Sequence, residues 1–465
     1  MNKLATALAL ATSVFIGTSQ ANALQVSADS RTDLNLTLYN QDLGLIQEKR
    51  KLPELKPGQN VTINSVSERM QTETLRIAGA GQISEQNLNT KLISPELMLR
   101  EYLGDTITLA RLNPADGTET SRLVTLLSYD GRNALVRADG QIETIPLGTH
   151  YRFIYPSVPE HLQIQPSLEF RSSGTRNPGT ATISYLTNGL SWNSDYVITL
   201  NKNDRTLELE ALASLVNQTG IDYNDASIRL LAGKVNTPTP APRPVMKMAM
   251  MEMDAGQAAG HPAPQSLQDY YIYPLPGKVT LRDQQQKQVP LLSQKQLPFE
   301  RQYQYNFPVY AGADSRVNKQ HPQIKLEFRN PASSSLPLPA GTARVFAPDQ
   351  GGLLQFIGGA QLSNTPAGGV VKLPIGEAFD LVVERRQTIF QKSFDGHLIG
   401  YELILRNSAK KPKTIDLKAE FHQPWTINNS APKPTTTEGS AAVWKITVPA
   451  KGKAALRFQV KLTKK

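Results

Sequence analysis

Apolar and polar residues alternate along most of this chain. Around its middle, Ala181, Ile183 and Tyr185 interleave with Thr180, Thr182 and Ser184. A little further on, Tyr196, Ile198 and Leu200 interleave with Val197 and Thr199. A period of two is the mark of a strand with one face buried. Asn188-Gly189 lies between the two runs, and this pair tolerates positive φ, so a tight corner is expected there. Leu190 and Trp192 follow the corner and are large enough to anchor a core, which makes Trp192 an expected buried residue. Across 206–215, Leu207, Leu209 and Ala211 face one way and Glu208 and Glu210 the other. A turn at Asn217-Gln218-Thr219-Gly220 then leads into a run ending Leu230-Leu231-Ala232-Gly233.

The same alternation divides the rest of the chain. Leu34, Leu36 and Leu38 alternate, the chain turns at 39–44, returns over 45–52, turns again at Lys56-Pro57-Gly58-Gln59 and restarts at Val61 and Ile63. This predicts an Ig-like unit within 24–94. Asp-Gly then occurs at Asp116-Gly117, Asp130-Gly131 and Asp139-Gly140, between short β-type runs. Asp-Gly flanked by alternating runs is a strong hairpin signal. Residues 95–158 are therefore expected to form a small SH3-like barrel, with one short helix at 95–103. A calcium reading of these aspartates is weaker, because they lack the alternate-position spacing and closing Glu of an EF-hand loop. A central sandwich is expected over 159–384. There Tyr303, Tyr305, Phe307 and Val309 alternate, an aromatic stripe that reads as core packing. A C-terminal Ig-like sandwich is expected over 385–465, from Ile399, Tyr401, Leu403 and Leu405 through Leu456, Phe458, Val460 and Leu462. Helix-period patterns are scarce. The expected class is all-β: several antiparallel units with one low-complexity insertion.

Several of these stretches together resemble a known family. G-L-S-W-x-x-x-Y at 189–196 and N-Q-T-G-x-D-Y-x-x-A-x-I-x-L-L-A-G at 217–233 are similar to the bacterial family named domain of unknown function 4139. So are Tyr273-Pro274-Leu275-Pro276, Gln288-Val289-Pro290-Leu291-Leu292, Leu338-Pro339-Ala340-Gly341 and F-D-L-V-V-E-R-R-Q at 379–387. The resemblance runs from about Pro166 to the C-terminus, and Tyr39–Leu45 looks like the family's opening strand. It implies a relation to proteins named mucoidy inhibitor A. It implies no catalytic residue, because the family has no established activity.

Residues 1–23 have the three parts of a secretory signal peptide. Lys3 supplies the positive region, 4–16 an apolar run too short to span a bilayer, and Ala21-Asn22-Ala23 the cleavage site. The expected mature chain starts at Leu24 and is periplasmic, with no transmembrane anchor. The absence of cysteine removes disulfides and thiol chemistry. The formal charge of +10 is modest for 465 residues. It fits weak attraction to anionic envelope polymers or lipids and argues against a nucleic-acid surface.

Composition changes abruptly over 236–265. Pro238, Pro240, Pro242 and Pro244 favour an extended lead-in. Met246, Met248, Met250, Met251 and Met253 then fall within eight residues. Thioethers select Cu(I), and His261 could add an imidazole, so these six residues are the candidate metal site. Methionine also serves as adaptable packing, and that reading stands beside the first. The remaining histidines are scattered, and no H-E-x-x-H, G-x-S-x-G or P-loop occurs. Glu208 and Glu210 form a carboxylate pair on one strand face, a pattern that solvated strands also show. No cofactor is indicated. The expected function is that of an exported, non-catalytic envelope protein binding a protein or polysaccharide partner. The alternatives are copper handling by the methionine segment, or a hydrolase whose carboxylates converge only in the fold.

Overall fold

The computed structural model describes residues 23–236 and 265–463, apart from 149, 160–161, 268–269 and 335. The candidate leader up to 22, and the stretch holding Met246, Met248, Met250, Met251, Met253 and His261, lie outside the described residues. Within them the chain is all-β, with one short α-helix and a few 3-10 turns.

Two sheets enclose the first core. One has the order Leu24–Val26, Asn60–Asn64, Ser167–Ser172, Ile83–Asn89. The other runs Gln265–Leu267, Tyr270–Pro274, Tyr223–Ala232, Arg31–Tyr39, Gly44–Leu52, Gly179–Thr187, Arg76–Ala78. Their inward residues include Leu36, Ile46, Val61, Ile63, Leu168, Phe170, Ile183, Tyr185, Ile228 and Leu230. Ser167–Ser172 pairs with both Asn60–Asn64 and Ile83–Asn89, so this core joins the N-terminal segment to the middle of the chain. Alternation shows which face of a strand is apolar, but it does not show the strand's partner. That is why the sequence pattern placed these segments in separate units.

The small unit is inserted between those paired strands. It opens with the expected helix, Pro95–Glu101, where Ser94 caps the N-terminus by accepting from Leu97 N at 3.1 Å. All three Asp-Gly turns close hairpins between consecutive antiparallel strands. Asp116 Oδ1 accepts from Thr118 N, and Asp130 Oδ1 from Arg132 N and Asn133 N. These bonds hold both carboxyls below the usual range. The strand order is Gln141–Pro146, Asn133–Ala138, Glu119–Tyr129, Thr106–Leu112, Tyr151–Ile154. Among the described residues the two outer strands do not pair, so the small SH3-like barrel expected from the sequence is an open sheet. The helix covers its inner face through Met98, Leu99 and Tyr102.

Asn188-Gly189 is a corner between sheets. The strands on either side, Gly179–Thr187 and Leu190–Leu200, do not pair with each other. Gly189 has φ +88° there. Leu190–Leu200 serves two cores: Leu190 and Trp192 close the first, while Tyr196, Ile198 and Leu200 line the second. Trp192 is fully buried, as its place after the corner predicted. Thr206–Asn217 runs beside it and divides the same way, with Ala213 and Leu215 in the first core and Leu207, Leu209 and Ala211 in the second.

The strand Gln285–Val309 is 25 residues long. At about 3.3 Å per residue it would reach roughly 80 Å if straight. Its first part pairs with Thr206–Asn217 and its last part with Lys413–Phe421. Val289 and Leu291 pack on the first core, Leu297 and Phe299 line the second, and Tyr305, Phe307 and Val309 the third. The third core joins strands of 385–465 to Tyr305, Phe307 and Val309, the stripe expected in the central sandwich, and to Leu381 and Val383. Leu381–Ser393, Gly396–Asn407, Gly452–Thr463 and Trp425–Ala431 face Lys413–Phe421, Ala441–Val448 and the end of the long strand.

Candidate functional site

The seam between the first and second cores opens to solvent as a cleft of about 390 Å³. Its walls are built by the sequence motifs. Trp192 Nε1 donates to Leu231 O at 3.1 Å, tying L-S-W to L-L-A-G. Tyr196 donates its hydroxyl to Pro339 O at 2.6 Å, and Tyr273 to Pro337 O at 3.1 Å. These bonds tie the strand and Y-P-L-P to the L-P-A-G segment. Burial pushes both tyrosine hydroxyls above their ordinary range, so they stay protonated donors. Gly341 pairs in parallel with Ser194, and a Cβ at Gly341 would collide with the Ser194 carbonyl. Gly233 has φ +124°, and a Cβ there would lie 2.7 Å from the Tyr270 ring. Both positions therefore require glycine for the walls to meet.

The cleft's lining is rich in amides: Asn40, Gln41, Asn193, Gln361 and Asn364. Three of them help hold the site together. Asn40 donates to Trp192 O and accepts from Gly233 N, Asn364 accepts from Ala340 N at 2.7 Å, and Gln361 donates to Thr342 Oγ1. The side chains of Gln41, Asn193 and Lys234 make no hydrogen bond or ion pair among the described residues. Ser194 also lines the cleft. Its hydroxyl is buried beside that of Tyr196, whose oxygen can accept from it. Among the described residues of the lining, Lys234 is the sole ionisable one. The arrangement can donate and accept hydrogen bonds over a broad polar surface. Among the described residues it holds no carboxylate or imidazole.

Among the described residues, those singled out from sequence do not assemble elsewhere. Glu208 and Glu210 lie on the outward side of their strand, opposite Thr199 and Val197. His321, His397 and His422 are far apart in the pairing scheme and each stacks on a separate aromatic ring. Among the described residues no group of three or more His, Asp or Glu could hold a metal ion. The methionine segment lies outside the described residues. A smaller polar cleft of about 270 Å³ lies on the outer face of the four-stranded sheet. Within it Asn89 donates to Glu169, and Arg171 donates outward to Gly58 O. The seam cleft was not visible in the sequence, because no single stretch of chain contains it. The available signal was that L-S-W, L-L-A-G and L-P-A-G recur as motifs of one family.

A family model described as Domain of unknown function (DUF4139) matches residues 181–463. The chain belongs to this family. The match starts within Gly179–Thr187, later than the Pro166 suggested by the motifs, and takes in every lining residue of the cleft except Asn40 and Gln41. The family region thus builds most of the cleft, and a turn from the N-terminal segment completes it. No curated protein matches the chain.

Proposed function

We propose that this DUF4139 protein is an exported, non-catalytic component of the bacterial cell envelope that binds a polysaccharide in the seam cleft. The observation that carries this reading is the lining: among the described residues it presents five amides, a serine, a threonine and one lysine, and no carboxylate or imidazole. Planar amides each offer donors and an acceptor at fixed spacing, which suits neighbouring sugar hydroxyls. The cleft's volume suits one or two sugar rings, within the roughly 300–1,000 Å³ common to ligand sites. Export is supported by the three-part leader, with cleavage after Ala23, and agrees with the charge surplus. Among the described residues no helix is long and apolar enough to cross a membrane.

The test has two arms. Cell fractionation with N-terminal sequencing should recover the chain in the periplasm, starting at Leu24. Calorimetric titration of that protein against purified envelope polysaccharides should give saturable binding. Asn193→Ala combined with Gln41→Ala should weaken it at least tenfold with an unchanged melting temperature, since neither side chain holds the fold together. Binding that ignores this double variant would remove the cleft from the account.

A further inference from the structure

A cavity of about 830 Å³ lies at one end of the third core, well away in sequence from the seam cleft. Two aromatic stacks border it. The Trp425 ring lies on Phe421 with centroids 4.4 Å apart and planes 22° from parallel. Trp425 Nε1 donates to Gly439 O at 3.2 Å, which fixes the ring's rotation. Phe421 is buried in the core, so it backs one face of the indole, while Trp425 itself stays partly exposed. The second stack follows from the register. Val309 pairs with Phe421 in parallel, so the next residues, Tyr310 and His422, sit side by side. Their rings are 5.6 Å apart and 14° from parallel, and Tyr310 is 60% exposed. Gln423, Thr426, Thr437 and Ser440 supply hydroxyls and an amide around these rings.

We propose that this groove is a second, independent saccharide site, in which a pyranose ring stacks on Trp425. A sugar ring has an apolar C–H face and a rim of hydroxyls. The groove offers the matching pair, a flat and rotationally fixed aromatic surface edged by small hydrogen-bonding groups. A proline-rich peptide would use the aromatic rings and leave most of the polar rim unmatched. The volume accommodates several rings of one chain. An extended polysaccharide engaging both groove and seam cleft would be held more tightly than by either alone. The groove's claim does not depend on the cleft's.

Tryptophan fluorescence separates the two sites. The chain has three tryptophans, of which Trp192 and Trp444 are fully buried, so acrylamide quenching reports on Trp425. The whole protein is titrated with chitohexaose, maltohexaose and a hexuronate oligosaccharide. At least one should protect Trp425 from acrylamide twofold or more. The protection should persist in the cleft double variant Asn193→Ala/Gln41→Ala, and adding Trp425→Ala to that variant should weaken calorimetric binding of the same sugar tenfold or more. Tyr310→Ala, at an exposed position, should weaken it threefold or more without lowering the melting temperature. Calorimetric binding of a saccharide with Trp425 left unprotected would overturn the groove and leave the cleft standing. Protection by a proline-rich peptide and by none of the sugars would also overturn the groove. Sugar protection of Trp425 with no calorimetric loss in the double variant would uphold the groove and overturn the cleft.

Discussion

Glu48 and Arg50 show how one strand face can mislead. Gly44–Leu52 turns Ile46 and Leu52 inward, and parity carries Glu48 and Arg50 to the same side. Both are essentially unexposed. Glu48 meets Arg50 at 2.9 Å and Arg31 at 2.6 Å. Arg50 also donates to Asn64 O at 2.6 Å and Ser65 O at 3.1 Å, so the cluster fixes the turn after Asn60–Asn64. Burial lowers the Arg50 pKa from its ordinary value, yet Glu48 keeps the guanidinium charged and paired. The face was legible in the sequence; the charged pair on it was not, because alternation alone treats charge as outward. Glu48→Gln leaves one buried guanidinium short of its counter-charge and should destabilise the protein by about 3–5 kcal/mol. Urea unfolding measures this, and a loss under about 1 kcal/mol, the scale of an exposed pair, would show that the cluster is solvated. Trp192 is the contrasting case. Its size and its place after a turn marked it as core from sequence alone.

Elements were legible where their cause is local. The three Asp-Gly hairpins follow from residues that accept positive φ, and the helix from Ser94 and Pro95. Gln285–Val309 was less legible as one strand, because Pro290, Pro298 and Pro308 read as interruptions. In the fold two of these prolines fall where the pairing changes. Pro290 adjoins a register shift, and at Pro298 the pairing with Thr206–Asn217 ends, before pairing with Gln323–Arg329 begins at Phe299. Gln296, at φ +57°, sits in the second shift, between Leu297 and Gln294. Prolines are thus placed where a missing donor costs least. The same logic of close backbone approach governs the cleft. Gly341→Ala puts a methyl against the Ser194 carbonyl and should push apart the parallel pair Leu190–Leu200 and Gly341–Pro348. We expect a loss of about 1–3 kcal/mol, the range of overpacking changes, and weakened saccharide binding at the seam. Full stability with unchanged binding would mean that the two strands can separate without cost.

At the scale of the whole molecule, the cores interleave. Leu190–Leu200 and Thr206–Asn217 each belong to the first and second cores, and Gln285–Val309 runs past all three. Segments distant in sequence meet at the seam: the turn at Asn40, the strand at Asn193, the edge at Gly233 and the L-P-A-G segment. A sequence read by period and turn chemistry finds each of these pieces and cannot show that they meet, since register between remote strands is set by the completed core. The central claim is that the meeting point binds a polysaccharide. Hydrogen exchange of the whole protein, with and without a saturating envelope polysaccharide, tests it most directly. The account predicts slowed exchange at Asn193 and Ser194, at Gly233 and Lys234, and at Ala340, Gly341 and Thr342. The outer face of the four-stranded sheet, around Asn87 and Glu169, should stay unchanged. Protection confined to that outer face, or none at the seam under saturation, would contradict it.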